Sequence, residues 1–250
     1  MNESPLPALV QGASRGIGAE LTRQLLERGQ EVIATCRQPE RSAALRRLQA
    51  RHGPRLHLLP LDVEQEASIA AAAEQVEPIA PRLGLLLNVA GILHDDAHRP
   101  ERRVSEVDPA WLQRVFAVNA LGPLLVAKHL APRLRHDGPA VLANLSARVG
   151  SIEDNRLGGW YAYRGSKAAQ NMFTKNLSIE LPRRHPQLVV IALHPGTVAT
   201  DLSAPFQRGV PEGKLFPVQR AAEQLLRIVD GVTPRDNGRF FAWDGQPIPW

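Results

Sequence analysis

Short apolar runs alternate with longer segments of helical spacing along the whole chain of 250 residues. Some of these runs, such as residues 85–87 and 189–191, are apolar at every position, which is typical of strands buried on both faces of a parallel sheet. The pattern predicts seven strands, over residues 8–11, 31–36, 56–61, 83–89, 140–146, 188–193 and 239–243.

The segments between these runs carry apolar residues at the spacing of three and four that marks the buried side of a helix. They predict helices over residues 16–28, 40–51, 65–79, 109–135, 161–181 and 218–229. Because strands and helices alternate, we expect an α/β fold with a doubly wound, parallel seven-stranded sheet and helices on both faces. A chain with 44% hydrophobic side chains at this length suits one domain over residues 1–250, in which the Pro- and Gly-rich segment 203–217 forms a lid.

Charge and cysteine content restrict the class of partner. The formal net charge of +5 comes from 30 basic and 25 acidic residues without a long run of one sign, unlike the basic arm of a nucleic-acid binder. Cys36 is the single cysteine, which excludes an internal disulfide. No signal-peptide pattern opens the chain, and no uninterrupted apolar stretch reaches the roughly 20 residues that cross a bilayer. We expect a cytoplasmic protein without nucleic-acid or membrane partners.

A glycine-rich turn follows the first predicted strand. Glycines let a backbone approach a pyrophosphate closely, and the positive end of the helix dipole then faces the phosphate charge. The turn alone leaves open a tight strand-to-helix connection that binds nothing. As a dinucleotide-phosphate site it comprises Gly12, Ser14, Arg15, Gly16, Ile17 and Gly18.

The end of the second predicted strand bears on the cofactor. In dinucleotide-binding folds with such a turn, an acidic residue at this point accepts hydrogen bonds from the adenosine ribose of NAD. Here the strand ends in Cys36 and Arg37. Arg37, together with Arg15, would instead offer guanidinium groups to the 2′-phosphate of NADP. NADP(H) is therefore the predicted cofactor, the alternative being that Arg37 is one of many surface arginines.

Tyr163 and Lys167 lie four residues apart, on one face of the helix predicted over residues 161–181. A phenol with a pKa of about 10 is a poor acid–base catalyst near neutral pH, but a neighbouring cation lowers that pKa. Tyr161 has Gly165 four residues later, which leaves Tyr163 as the candidate. The pair predicts proton transfer by Tyr163, with its pKa lowered by Lys167.

Five motifs in chain order resemble the short-chain dehydrogenase/reductase family. They are the glycine turn, Asn88-Val89-Ala90-Gly91, Asn119, the Tyr163/Lys167 pair and Pro195-Gly196. More narrowly, the chain resembles C-factor and sniffer-like carbonyl reductases. That resemblance rests on Gly150-Ser151-Ile152, on Gly158-Gly159 before the Tyr-x-Tyr-Arg segment, and on the terminal Ile248-Pro249-Trp250.

The resemblance implies a Rossmann-like fold that transfers a hydride from NADPH to the carbonyl of a small-molecule aldehyde or ketone, while Tyr163 protonates the oxygen. Lys167 would hold the nicotinamide ribose, and Asn119 would anchor a water-linked proton relay. The remaining cofactor contacts fall on Asp62, Val63, Asn88, Ala90, Gly91, Pro195, Gly196, Val198 and Thr200.

Two further expectations concern the substrate pocket and the assembly. The segment 203–217, with Phe206, and the loops near Ile92 and Ile152 are expected to shape the pocket. In the family, the helices corresponding to residues 109–135 and 161–181 commonly pair across a two-fold axis. The resemblance therefore implies a homodimer or homotetramer.

Three positions depart from the family pattern, and one of them, Val89, replaces the second Asn of the usual Asn-Asn-Ala-Gly. Gln11 stands where the glycine motif usually begins with Thr, and Ala147 occupies the place of the serine that binds the substrate carbonyl. We expect Ser146 to replace that donor, while Ser151, or polarisation of the carbonyl by Tyr163 alone, stays open. A second hypothesis follows from Ala147, namely a catalytically weak, dinucleotide-binding regulatory or signalling protein. The third is a purely structural module that binds no dinucleotide.

The histidines are assigned no chemistry. His94 and His98 flank two aspartates, a combination that can bind zinc or manganese, but the segment follows the fourth strand and predicts a solvated loop. His194 precedes Pro195, and most such histidines hydrogen-bond to local backbone groups. We predict no metal site and a structural role for His194.

Overall fold

Seven parallel strands form the central sheet of the structure, a computed structural model that describes residues 5–250. In chain order the strands of this part are β1 (Ala8–Gln11), β2 (Val32–Cys36), β3 (Leu56–Pro60), β4 (Leu85–Asn88), β5 (Ala140–Leu145), β6 (Leu188–His194), β7 (Thr197–Val198), β8 (Leu215–Phe216) and β9 (Phe240–Ala242). The sheet order is β3-β2-β1-β4-β5-β6-β9. The predicted seven-stranded parallel sheet is therefore confirmed, with strand ends shifted by one or two residues.

Helices cover both faces of this sheet. They are α1 (Gly16–Glu27), α2 (Ala43–His52), α3 (Glu66–Ile79), α4 (Pro109–Phe116), α5 (Gly122–Leu130), α6 (Tyr161–Glu180) and α7 (Val218–Gly231). Side chains of β1 alternate between two apolar clusters, since Val10 packs with α1 and α7 whereas Leu9 packs with α3 and α5. This two-sided burial explains why the strands are apolar without alternation.

The strand order reverses between β1 and β4, which lie side by side at the centre of the sheet. In open parallel sheets, ligands bind in the crevice outside the carboxyl ends of the strands at such a point. The glycine turn follows β1 and Asn88 ends β4, so both motifs lie at this crevice. The fold thus brings together segments that are some 75 residues apart in sequence.

The helix predicted over residues 40–51 begins later than expected. Pro39 opens a short 3₁₀ turn, and Ser42 caps α2 by accepting a hydrogen bond from the Leu45 N–H at 3.3 Å. A serine hydroxyl satisfies a backbone donor that has no partner inside the helix, and therefore fixes the start of α2 at Ala43.

The helix predicted over residues 109–135 is interrupted. A π turn, Ala117–Leu121, separates α4 from α5, and a 3₁₀ turn, Ala131–Leu134, follows α5. Pro123 has no N–H to donate to the Asn119 carbonyl four residues earlier, which favours the wider turn at this point. π turns are frequent at functional sites, and this one carries Asn119.

The combined helical segment Pro109–Leu134 is long enough and, with a mean hydropathy of 1.3, apolar enough to cross a membrane by those measures alone. Within the fold its apolar side is occupied, because Val126 and Leu130 pack under the sheet with α3 and β5. The burial of this apolar side is typical of a core helix in an α/β fold.

Candidate active site

The glycine turn after β1 packs directly against the loop after β4. Gly12 adopts a φ of 87°, and a Cβ at this position would lie 2.5 Å from the Ala90 nitrogen. Gln11 holds this close approach, because its Oε1 accepts a hydrogen bond from the Ala90 N–H at 3.2 Å. The sequence analysis treated Gln11 only as a departure from the family pattern. In the structure it joins the two loops that form the crevice.

The first turn of α1 has backbone N–H groups without a side-chain cap, since its N-cap residue, Arg15, makes no capping hydrogen bond. Gly18 fits there only without a side chain, because a Cβ would overlap the Gly12 carbonyl. On the other side of the turn, Gly16 faces Thr200, whose Cγ2 would lie 3.4 Å from an added Cβ. Free N–H groups and glycine backbone together make a phosphate-binding turn.

Two further residues predicted at the phosphate site anchor the turn to its surroundings. The Ser14 carbonyl accepts a hydrogen bond from Ser42 Oγ at 2.7 Å, which ties the turn to the start of α2. Ile17 packs against Val198 and Phe216 of the short β7–β8 pair. The turn is therefore held in place by α2 on one side and by the β7–β8 pair on the other.

The two arginines predicted to bind a 2′-phosphate differ in their surroundings. Arg37 is exposed at the end of β2 and forms no ion pair within residues 5–250. Arg15 Nη1 lies 3.1 Å from Asp201 Oδ2, with the two side chains 79% and 81% exposed. An ion pair this exposed contributes at most about 1 kcal/mol, so a phosphate can compete with Asp201. Arg37 is the guanidinium that is available without such an exchange.

Asp62 and Val63 lie after β3, beside the end of β2. Asp62 Oδ1 accepts a hydrogen bond from the Glu64 N–H at 3.0 Å, which turns the chain at this edge. Val63 is buried and packs so closely on Gly122 that a Cβ there would lie 2.8 Å from Val63 Cβ. Both residues therefore lie at the same edge of the sheet as Arg37, as expected for an adenine pocket.

Asn88 ends β4 at the crevice, and its side chain points into the polar interior. Its side chain is buried, and Nδ2 donates a hydrogen bond to Asn144 Oδ1 on β5 at 2.8 Å. Asn144 in turn donates to Thr174 Oγ1 on α6 at 2.8 Å. The side chain of Asn88 thus belongs to a polar network that links β4, β5 and α6, and a contact of Asn88 with the cofactor stays a prediction. Sequence analysis missed Asn144 and Thr174 because their partners are distant in the chain.

Asn119 connects the loop after β4 to α6. Its Oδ1 accepts a hydrogen bond from the Ile92 N–H, and its Nδ2 donates to the Ile92 carbonyl, both at 2.8 Å. Nδ2 also donates to Ser166 Oγ at 3.1 Å. Gly91 lies between this amide and the lysine of the catalytic pair, since an added Cβ would be 3.3 Å from Asn119 Oδ1 and 3.7 Å from Lys167 Nζ. The side chain of Asn119 therefore positions the catalytic helix, and its part in a proton relay stays a prediction.

Tyr163 and Lys167 point to the same side of α6, as predicted. Lys167 Nζ lies 5.9 Å from the centre of the Tyr163 ring. The lysine is buried and donates hydrogen bonds to the Leu145 carbonyl at 2.8 Å and to Gln170 Oε1 at 2.9 Å. An ammonium has three N–H donors, so one remains for a ligand.

The pKa shifts in this pair run opposite to the expectation from the sequence. Burial raises the pKa of the Tyr163 phenol to about 12 and lowers the pKa of the Lys167 ammonium to about 7. A low-dielectric environment disfavours the charged form of each group, and this effect outweighs the attraction that a neighbouring cation offers to a phenolate. The prediction that Lys167 lowers the pKa of Tyr163 was therefore wrong for the protein without a bound dinucleotide.

Both candidate serines already have partners. Ser146 Oγ donates to Asn171 Oδ1 on α6 at 2.6 Å. Ser151 Oγ donates to the Trp250 carbonyl at 3.3 Å and accepts from the Asp154 N–H at 3.1 Å. Ser151 is therefore held by the C-terminal Trp250 and by Asp154, whereas the Ser146 hydroxyl has one hydrogen-bond partner, Asn171, among the described residues.

The segment after β6 forms the other wall of the crevice. Gly196 follows Pro195 and adopts a φ of 77°, and a Cβ there would lie 2.6 Å from the Phe216 ring. Val198 is buried in the β7–β8 pair, a pairing too short to predict from sequence, and Thr200 Oγ1 donates to the Val198 carbonyl at 3.4 Å. These residues face the glycine turn through Thr200, as expected for the nicotinamide side.

His194 does not satisfy local backbone groups, which corrects the expectation from the sequence. Its Nδ1 is buried without a hydrogen-bond partner among residues 5–250. Burial lowers the pKa of His194 to about 4, so the ring is neutral at pH 7.

A row of three aromatic rings begins next to Tyr163, and of these the sequence pointed to Phe206 as a pocket residue. The Trp160 ring centre is 6.2 Å from that of Tyr163 and 5.1 Å from that of Phe206. The His94 ring centre is 5.9 Å from that of Phe206. We call Trp160, Phe206 and His94 the aromatic wall. Its members come from three separate loops, so no local pattern could reveal it.

Trp160 has the only positive φ, 52°, among the non-glycine residues that the structure describes. Such a left-handed conformation costs roughly 1–3 kcal/mol and persists where the surroundings impose it. The buried Glu101 does so here, because its carbonyl accepts the Trp160 N–H at 2.5 Å and its Oε2 accepts the Ala162 N–H at 3.3 Å. Glu101 thereby fixes the start of α6 two residues before Tyr163, a contact that sequence analysis missed.

The segment that carries His94 and His98 is more ordered than the predicted solvated loop. The His98 ring stacks on Trp111 at 4.4 Å and hydrogen-bonds to Asp95 at 2.8 Å, while His94 Nε2 bonds to the Leu202 carbonyl at 3.1 Å. Within the described part of the chain, no group of three or more His, Cys, Asp or Glu side chains could hold a metal ion. The two histidines hold the loop in place.

This crevice fits a phosphorylated dinucleotide on three counts. The backbone around Gly12 leaves no room for a side chain, the first turn of α1 offers uncapped N–H groups, and Arg37 is exposed without an ion pair. At the opposite end, Lys167 keeps one N–H for a ligand and Tyr163 can deliver a proton. The arrangement suits a redox reaction with proton transfer at a carbonyl or hydroxyl group.

This arrangement of fold and site is that of a nicotinamide-dependent oxidoreductase. A family model described as short chain dehydrogenase matches residues 7–210. The chain belongs to the short-chain dehydrogenase family.

Relatives within the family narrow the comparison. The chain is 34% identical over 242 residues to 1-hydroxy-2-glutathionyl-2-methyl-3-butene dehydrogenase of Rhodococcus sp. (strain AD45), a match that covers 97% of this chain and 98% of the relative. It is 40% identical over 147 residues to the C-signal of Myxococcus xanthus, covering 59% of this chain and 83% of the relative.

Solved structures support the carbonyl reductase branch predicted from the sequence. The NADPH-bound carbonyl reductase from chicken fatty liver superposes with a TM-score of 0.86 at 30% identity, over 99% of this chain and 100% of that chain. The predicted resemblance to carbonyl reductases of the sniffer-like kind is thus confirmed.

Proposed function

We propose that the chain reduces the carbonyl of an aldehyde or ketone with NADPH, and that Tyr163 is the proton donor. The observation that carries the proposal is the placement of Tyr163 and Lys167 on one side of α6, with Nζ 5.9 Å from the centre of the Tyr163 ring, at the carboxyl edge of a dinucleotide-binding sheet. Burial raises the pKa of Tyr163 to about 12, which makes the phenol a weaker acid, but the alkoxide formed by hydride transfer is a stronger base than a phenolate and can still take the proton. Arg37 and the similarity to an NADPH-bound carbonyl reductase support NADP(H) as the cofactor.

Different residues of the crevice would bind different parts of NADPH. When bound, NADPH supplies the hydride for the carbonyl carbon. The glycine turn would hold the pyrophosphate and Arg37 the 2′-phosphate, while Lys167 would donate its free N–H to the nicotinamide ribose. Tyr163 then gives its proton to the developing alkoxide. Ser146 would be the second donor to the substrate oxygen after its hydroxyl turns away from Asn171.

The first test compares wild type with Tyr163→Phe in NADPH oxidation against a panel of aldehydes and ketones, with NADH as a second cofactor. We expect turnover to fall by at least the 10²–10⁴-fold that general acid catalysis typically contributes, with NADPH affinity unchanged. Tyr161→Phe, on the exposed side of the same helical turn, is the matched control and should keep its activity. Equal turnover in both variants would refute Tyr163 as the donor.

A second candidate function rests on the serines. Ala147 replaces the usual carbonyl donor, and the hydroxyls of Ser146 and Ser151 both have partners in the structure. A catalytically weak protein that binds NADPH in a regulatory or signalling role is compatible with these contacts. Tight NADPH binding without turnover of any carbonyl in the panel would favour it.

We also propose a homodimer or homotetramer in the cytoplasm, acting on a small molecule, with segment 203–217 as a lid over the site. Exposed apolar side chains on the outer helices, Leu121, Met172 and Ile179, support self-association. The single buried Cys36 requires no oxidising compartment. Sedimentation of wild type and Met172→Glu tests the assembly, since a charge at the interface should release monomers.

A further inference from the structure

The aromatic wall begins beside the proposed proton donor, Tyr163, and part of its ring surface is exposed. Trp160, Phe206 and His94 are each only partly buried, so none of the three rings is enclosed by the fold. The ring centres run from Tyr163 to Trp160 to Phe206 in steps of 6.2 and 5.1 Å. A group attached to a carbonyl carbon at Tyr163 would therefore lie against these rings.

The rings are held in a defined arrangement. His94 Nε2 bonds to the Leu202 carbonyl at 3.1 Å, which ties the loop after β4 to the segment after β7. Trp160 is fixed in its left-handed conformation by the Glu101 carbonyl. Contacts among the rings are edge-on or tilted, with interplanar angles of 53–72°. Another flat ring can add to such a set by the same geometry.

The faces of the two carbon rings of the wall carry no cation. Arg164, whose N–H donates to the Trp160 carbonyl, directs its side chain to the Gly158 carbonyl at 3.1 Å. Within the part of the chain that the structure describes, no lysine or arginine lies over the Trp160 or Phe206 ring. These two rings thus offer flat, apolar faces, which suit a neutral aromatic group better than a carboxylate or a phosphate.

We propose that the aromatic wall selects carbonyl substrates that carry a neutral, flat aromatic ring on the carbonyl carbon, with Trp160 and Phe206 as the specificity-determining residues. The substrate class rests on the proposed function, because it takes Tyr163 as the site of the carbonyl. The wall itself does not depend on turnover, and a flat ring should bind there whether or not it is reduced.

The experiment uses two aldehydes with the same number of carbons, benzaldehyde and cyclohexanecarbaldehyde, so that only flatness and aromaticity differ. We expect Phe206→Leu and Trp160→Leu to lower kcat/KM for benzaldehyde by about three- to tenfold, mainly through KM, as a lost aromatic contact predicts. Both variants should stay within about twofold of wild type for cyclohexanecarbaldehyde. The quantity compared between variants is the ratio of kcat/KM for benzaldehyde to kcat/KM for cyclohexanecarbaldehyde. The intrinsic reactivities of the two aldehydes are the same for every variant and therefore cancel in this comparison.

Phe173→Leu is the control, because Phe173 is also partly buried but lies on α6 outside the aromatic wall. It should leave the ratio unchanged. Leucine at position 160 carries a Cβ as tryptophan does, so the strain of the left-handed backbone is similar in both, and folding of each variant is checked by its thermal unfolding. An equal loss for both aldehydes in Phe206→Leu and Trp160→Leu would overturn the proposal and leave the reductase function standing.

A binding arm separates failure of this proposal from failure of the proposed function. Benzamide and cyclohexanecarboxamide resemble the two aldehydes but are not reduced, and ligand-detected NMR measures their affinity for the protein with NADP⁺. Preferential binding of benzamide that is lost in Phe206→Leu supports the wall even if neither aldehyde turns over. Equal binding of the two amides to wild type would overturn it.

Discussion

Lys167 Nζ lies 5.9 Å from the centre of the Tyr163 ring but directs its hydrogen bonds to the Leu145 carbonyl and Gln170. The lysine thus sits beside the phenol without bonding to it. Burial then dominates both pKa values, so that at neutral pH Tyr163 is protonated and Lys167 is near its midpoint. A protonated Tyr163 can donate a proton in carbonyl reduction. Of the two residues, Lys167 is the one whose charge changes near neutral pH.

The first prediction concerns the stability of the protein without cofactor. The pKa of Lys167 is about 7 in the folded state against an ordinary 10.5, so between these pH values the unfolded chain binds more protons than the folded one. Wild type should therefore gain stability relative to Lys167→Met as the pH rises from 7 to 10, by an amount on the order of a few kcal/mol. Denaturant unfolding at a series of pH values measures the difference. Lys175→Met, at an exposed position on α6, should show no such trend.

A second prediction concerns the close approach of Gly12 to Ala90. Gly12→Ala combines a φ of 87° with a Cβ 2.5 Å from the Ala90 nitrogen, so we expect a loss of about 1–3 kcal/mol in the free energy of unfolding and a large loss of NADPH affinity. Gly231→Ala, where nothing lies within 4 Å of an added Cβ, is the control and should be neutral or slightly stabilising. Calorimetric unfolding and NADPH titration report the two effects. Wild-type affinity in Gly12→Ala would contradict the phosphate-binding role of the turn.

A third prediction separates the two arginines at the cofactor end. Arg37→Ala should weaken NADPH binding by roughly 10- to 100-fold, the range of one charge-assisted hydrogen bond, and leave NADH binding nearly unchanged. Arg15→Ala should have a smaller effect, because Arg15 is paired with the exposed Asp201 at 3.1 Å. Titration of both variants with both dinucleotides decides between them. A larger loss in Arg15→Ala would show that the Arg15–Asp201 pair opens to bind the phosphate.

The fourth prediction assigns the second donor to the substrate oxygen. Ser146→Ala should lower kcat on the order of 100-fold, as expected when one preorganised donor is removed. Ser151→Ala should stay within a few-fold of wild type, since its hydroxyl is held by the Trp250 carbonyl and the Asp154 N–H. Steady-state kinetics on the best substrate of the panel measures both. The reverse order would identify Ser151, and no effect in either would leave Tyr163 as the only donor.

The secondary structure was largely predictable because burial on both faces of a parallel sheet imposes continuous apolar runs. Every predicted sheet strand is found, and α1 and α6 begin at the predicted residues, Gly16 and Tyr161. The short motifs could be recognised because each is local in the sequence. The glycine turn spans residues 12–18, and Tyr163 and Lys167 are four residues apart. The interruption at Asn119 could also have been anticipated from Pro123, which cannot donate a backbone hydrogen bond.

What the sequence alone determined, then, is the individual strands and helices, the glycine turn and the Tyr163/Lys167 spacing, because each depends on residues close together in the chain. Tertiary structure decided the rest. Distant segments meet in three contacts that no local pattern shows. They are the hydrogen bond of Gln11 with the Ala90 backbone, the hydrogen bond of Ser146 with Asn171, and the aromatic wall. The pKa values of Tyr163 and Lys167 likewise follow from how deeply the fold buries them, which no local spacing encodes.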